Sequence, residues 1–172
     1  MIERVRDLGP VVLVPAAWLA TLGAVLDVLG STGMTVAHAV MIAFISFFLL
    51  TGYQSMSSGS LRAWRAVMLV GLPITVAGFA GFFLPSAERL LFSVSLVGWM
   101  LLPAAGLVYT AGEIPAARLV YGGGAALSVA GAVSMVGFIA GMGDTFAVVG
   151  AALVGVGHTA GIAEASLRDQ CS

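Results

Sequence analysis

Residues 33–53 read GMTVAHAVMIAFISFFLLTGY, twenty-one residues without a formal charge. A run of that length matches the ~20 residues a helix needs to cross a hydrocarbon core. Within it, His38 stands five residues from the start. An imidazole in an otherwise lipid-compatible stretch sets two questions, what fold surrounds it and what partner it has.

The rest of the chain repeats the pattern. Of 172 residues, 60% are hydrophobic and 9% charged, against about a quarter charged in a soluble domain. Too few charges remain to coat a water-facing surface, so the expectation is an all-α polytopic membrane protein. Six spans follow from the apolar blocks, at 10–30, 33–53, 66–84, 90–110, 119–141 and 145–163. The first is too long for a signal-peptide core and reads as a retained helix. STG, PSAER and MGD are tight turns, whereas QSMSSGSLRAWR and AGEIPAAR are longer and basic. The helices are therefore expected to pair as three hairpins in one domain, residues 1–172, at about 10–53, 66–110 and 119–163.

Arginine placement orients them. Arg4, Arg6, Arg62, Arg65, Arg118 and Arg168 fall on one side and only Arg89 on the other. The positive-inside rule then puts both termini in the cytoplasm and the tight turns outside. Tyr53 and Trp64 fall at the inner interface, where amphipathic rings are favoured. Seven arginines without lysine fit a prokaryote with a GC-rich genome, and a plasma-membrane location.

Each hairpin opens on a glycine step (Gly23, Gly78, Gly131) and closes on a glycine (Gly52, Gly106, Gly161), the basis for reading an internal repeat. Lipid gives helices little hydrophobic reason to associate, so small residues must let backbones approach. Gly137 with Gly141, Gly157 with Gly161, and an Ala16–Ala20–Ala24 ridge on the first helix are the expected packing faces. Gly161 should resist a larger side chain, while Gly59, in a polar loop, should accept one. Pro15, Pro73 and Pro103 lie inside spans and should bend them.

Between Arg62 and Gly106 the chain has an arginine-flanked tryptophan, a G-x6-G step, Pro85 at the outer turn and a long apolar helix with a Gly98-Trp99 step. In these features it resembles the HdeD-type acid-resistance membrane proteins. The resemblance implies six helices in three hairpins and a link to stress or acid tolerance, and it carries no catalytic residues. The first and third turns lack the proline.

Ionisable groups within spans are costly and usually face partners. Asp27 and His38 fall about 4.5 and about 7.5 Å inside the outer boundary at 1.5 Å per residue, on helices joined by a short turn. They are the candidate proton-responsive or ligand site, since histidine changes charge near pH ~6.5. A solvated Asp27 beside a hydrogen-bonded neutral His38 is the plainer reading. His158 is the secondary candidate, about 9 Å from the inner boundary. The two histidines then differ in depth by roughly 13 Å, too far for axial ligands of one haem.

No HExxH, CxxC, GxSxG or P-loop occurs, and the glycines at 122–124 lack the Lys-Ser/Thr of a phosphate cradle. Glu113 and Glu164 fall at the cytoplasmic edge, where water solvates them. Cys171 alone makes neither an intrachain disulfide nor a zinc cluster. The expectation is a non-enzymatic protein with no cofactor. Its partner is the lipid bilayer, not nucleic acid given a net charge of -1, and a homo-oligomer is left open. A small transporter or channel for a neutral or weakly acidic solute is the alternative, and a haem-bearing electron-transfer subunit a minor one. In a Cys171→Ser background, cysteines at Ser57 and Ala116 should label from inside, and at Ser31, Ser86 and Gly143 from outside. Labelling of Ser31 and Ser57 from the same side would rule out the six-span topology.

Overall fold

The computed structural model describes the backbone of residues 2–170 and the side chains of residues 9–168. Cys171, and the Arg4 and Arg6 side chains, lie outside the described set. Six helices account for nearly all of it: α1 (Ile2–Val25), α2 (Ser31–Gly52), α3 (Gly59–Gly81), α4 (Glu88–Glu113), α5 (Arg118–Ile139) and α6 (Asp144–Gln170). Helices α2 to α6 are long and apolar enough to cross a membrane, as expected of a helical membrane protein. The part of α1 with described side chains, Gly9–Val25, is apolar as well.

Helix ends depart from the apolar blocks where capping chemistry decides them. α1 stops at Val25, before the apolar run does. The Val28 N–H donates to the Gly23 carbonyl (2.8 Å) and the Asp27 N–H to the Ala24 carbonyl (3.2 Å), the paired bonds of a Schellman stop. Asp27 is the left-handed residue of that stop, at φ 55. α5 ends in the same motif, with Met142 bonded to Gly137 (3.0 Å), Gly141 to Phe138 (2.8 Å), and Gly141 at φ 87. Gly141 is thus a helix stop rather than part of a packing face with Gly137.

The two basic loops are mostly helix. α3 already includes Arg62, Trp64 and Arg65, leaving 53–58 as the connection. α4 runs to Glu113 and ends at Ile114, whose extended backbone (φ -124, ψ 81) precedes Pro115. A single 3-10 turn, Pro115–Ala117, leads into α5. α6 continues past its apolar block, where Glu164 is paired with Arg168 at 2.7 Å rather than simply solvated.

Packing follows the order α2–α3–α4–α5–α6–α1. The α3–α4 and α5–α6 hairpins are closely packed, but α1 lies mainly against α6 and touches α2 only slightly. The face of α1 that is buried carries Trp18, flanked by Val14, Leu22 and Val25. Ala16 of the expected ridge is exposed. One core collects Trp18 with Met100, Met135, Ala151 and Val154; a second, nearer the termini, collects Leu107, Ala117, Tyr121 and Ala125.

The tightest seam is α5–α6. A Cβ on Gly124 would lie 2.7 Å from the Gly157 carbonyl oxygen, and one on Gly157 2.5 Å from that of Gly124. One heptad away, Gly131 and Gly150 repeat the relation at 2.6 and 2.8 Å. Gly161 instead faces the Leu107 side chain, at 2.6 Å from a Cβ.

Gly59 does not tolerate substitution as its loop-like sequence implied. It opens α3 at φ 55, a conformation other L-residues resist. Gly122 is the better reference, with nothing within 4 Å of a Cβ. Gly157→Ala should destabilise the protein in detergent by about 1–3 kcal/mol, because the obstacle is backbone. Gly122→Ala should be neutral or stabilising by up to about 1 kcal/mol. Thermal unfolding of the two variants measures the difference in sign, and equal shifts would disprove the close seam.

Candidate functional site

The polar side chains inside the bundle are placed by helix contacts. His38 is half-buried on α2, and its Nδ1 lies 2.9 Å from the Met34 carbonyl one turn back. A carbonyl only accepts, so Nδ1 carries the proton. In the neutral ring, Nε2 then presents its lone pair. A Cβ on Gly78 of α3 would lie 2.8 Å from that nitrogen and 2.5 Å from the buried Ser95 Oγ of α4. Gly78 is therefore a notch through which α2 and α4 bring a base and a hydroxyl to one place. The Phe82 ring closes the side, edge to face with the imidazole at 5.3 Å.

Asp27 is not part of this cluster. Its side chain is exposed in the α1–α2 turn, and among the described residues no hydrogen bond or ion pair joins it to His38. Sequence depth put the two side by side. The helix stop, which places Asp27 at the left-handed position, sets its backbone geometry independently of any partner.

His158 has the opposite tautomer. The Trp18 indole N–H donates to His158 Nδ1 at 3.2 Å, tying α1 to α6. Its proton is consequently on Nε2, a buried atom without an acceptor among the described residues. The rings also meet edge to face at 5.5 Å. A nitrogen that carries a proton has no lone pair for iron, so this arrangement does not suit His158 to axial haem ligation. Among the described residues no three His, Cys, Asp or Glu side chains gather as a metal site.

A pattern that the reading by hairpins passes over explains the other tryptophans. Both α3 and α4 contain W-x6-G-x3-T, at Trp64–Gly71–Thr75 and Trp99–Gly106–Thr110. The helices run antiparallel, so each tryptophan meets the other helix's threonine. Trp64 Nε1 donates to Thr110 Oγ1 (3.2 Å) and Trp99 Nε1 to Thr75 Oγ1 (2.9 Å). Each hydroxyl donates in turn to the carbonyl of its own motif glycine, Gly71 at 2.9 Å and Gly106 at 2.8 Å. Gly71 also makes room for the Trp99 ring, which would lie 2.7 Å from a Cβ there. The repeated motif was present in the sequence, but its meaning depends on the antiparallel pairing.

At the end with the tight turns, Arg89 donates to the Ile139 carbonyl at the end of α5 (2.8 Å). At the other end, Arg65 lies over the Tyr53 ring, 4.8 Å from its centroid, and donates to the Tyr53 carbonyl (3.3 Å). Comparison with protein-family models, curated proteins and solved structures finds no match to this chain.

Trp18→Phe removes the indole donor to His158 Nδ1 and should cost about 1–3 kcal/mol, the cost of stranding a buried polar atom. Trp64→Phe leaves Thr110 bonded to Gly106 and should lose nearer ~0.6 kcal/mol, the mean for interhelical bonds in lipid. Denaturant unfolding in mixed micelles ranks the two; the reverse order would remove the special role of the α1–α6 bond.

Proposed function

We propose that this chain is a non-enzymatic plasma-membrane protein of a prokaryote, spanning six times with both termini in the cytoplasm, that responds to external acid through His38. Six of seven arginines near the termini and the two inner connections support the orientation. The resemblance of residues 62–106 to acid-resistance membrane proteins supports the stress context. The single observation carrying the reading is the His38 tautomer. With Nδ1 committed to Met34, the basic Nε2 faces the Gly78 notch and Ser95.

Protonation there adds an N–H on the side of a hydroxyl oxygen able to accept it. The change would fasten α2, whose main contact is with α3, to α4 as well. Among the described residues, no ion pair is formed by His38. Phe82, the residue after α3, is in ring contact, Glu88 and Arg89 lie about two turns before Ser95 on α4, and Asp27 is in the α1–α2 turn. The outcome is a tighter bundle in acid, a mechanical response without chemical turnover.

Amide exchange of α2 in lipid nanodiscs tests this at about pH 7.5 and about pH 5. After correction for intrinsic exchange, α2 should be several-fold better protected in acid. His38→Gln should abolish the difference and Ser95→Ala should reduce it. A pH response that survives in His38→Gln would overturn the proposal.

A further inference from the structure

Two concavities lie between α4 and α5. At the end with the tight turns is a groove of about 580 Å³, lined on α4 by Glu88, Arg89 and Ser93 and walled by Phe92, Leu96 and Phe138. Further along the same two helices, towards the middle of the bundle, is a second, separate concavity of about 210 Å³. The lining there is entirely aliphatic, including Val97 and Leu101 from α4 and Val129 and Val133 from α5. From Arg89 to Leu101 the two parts extend about 18 Å at 1.5 Å per residue, somewhat more than half a ~30 Å core.

The groove is polar at the bilayer surface and apolar below it. Its polar end carries one anion, one cation and one hydroxyl. Arg89 gives one N–H to the Ile139 carbonyl, which fixes the guanidinium at the mouth and leaves its other donors for an anion. A guanidinium pairs well with phosphate oxygens through parallel N–H bonds. Glu88, one residue earlier, offers a carboxylate to a cation. That charge pattern complements a headgroup with both a phosphate and a primary ammonium. An anionic headgroup would gain Arg89 but meet Glu88.

We propose that the α4–α5 groove holds one zwitterionic phospholipid of the phosphatidylethanolamine class, from the leaflet at the tight-turn end. Its phosphate lies on Arg89, its ammonium on Glu88, and one acyl chain follows the aliphatic seam to Leu101. The lipid fills a space that the α4 and α5 side chains leave open and bridges them where Arg89 already does. The site is separate from the His38 notch and does not depend on which side of the membrane the turns face.

Native mass spectrometry of the delipidated protein in detergent, titrated with dioleoylphosphatidylethanolamine or dioleoylphosphatidylglycerol, tests the assignment. One ethanolamine lipid should be retained with at least about five-fold preference over glycerol lipid, on the order of 1 kcal/mol. Arg89→Gln should lose retention of both lipids, and Glu88→Gln should remove the preference. Val133→Trp changes an exposed side chain in the aliphatic section, and should block binding without a loss of thermal stability. Inorganic phosphate in place of lipid should give no protection against unfolding. Equal retention of the two lipids by wild type, or unchanged retention in both Arg89→Gln and Val133→Trp, would overturn the proposal.

Discussion

The bundle depends on backbone meeting backbone between α5 and α6. In lipid, burying leucine against leucine gains little over leucine against acyl chains, so contact density has to supply the cohesion. At Gly124–Gly157 and Gly131–Gly150 each glycine faces the carbonyl oxygen of its partner. Such contacts allow weak Cα–H···O interactions, but their larger effect is geometric. They fix the register of two helices to within one residue, because any slip brings a side chain to a carbonyl. Ser128 lies between them, fully buried, its hydroxyl donating to the Gly124 carbonyl at 2.8 Å. The seam therefore contains a polar atom without exposing an unpaired one. Helices α4 and α1 then pack on opposite partners of this pair.

Elsewhere, directional bonds fix what dispersion alone would leave loose. All three tryptophans of the chain use the indole N–H between helices. Two find a threonine whose own proton is already spent on its helix, so no polar group is left unmatched. The third finds His158, whose other ring nitrogen, Nε2, carries a proton with no acceptor among the described residues. The two histidines differ in kind for this reason. One is held by its own helix and turns a lone pair towards its neighbours, and the other is held by a neighbour and turns a proton into the interior.

Much of this was legible in the amino-acid sequence, though unevenly. Apolar run length identified five helices long and apolar enough to cross a membrane, because the hydrocarbon thickness sets that length. Helix ends were less legible, since helices extend beyond the lipid-compatible segment until a stop intervenes, as α3 does at Arg62 and α6 at Arg168. Asp27 was misleading because hydropathy counted it as a charge inside a span, while its backbone marks the span's end. The notch at Gly78 was hidden. Ser95 and Gly78 are unremarkable on their own helices and gain meaning only when α2 delivers His38. The partner of α1 could not be read at all, because nothing local to residues 9–25 distinguishes a helix that packs on its successor from one that packs on the last helix.

That last arrangement bears on how the molecule is made. Trp18 and His158 are 140 residues apart in the chain. At synthesis rates of about 5–20 residues per second, α1 is made on the order of 10 s before its docking surface on α6 exists. Throughout that interval its indole donor lacks the acceptor it has in the folded bundle. Helix α1 is thus among the last to be seated, and ribosome stalling or truncation before α6 would release a chain in which α1 has no place to settle.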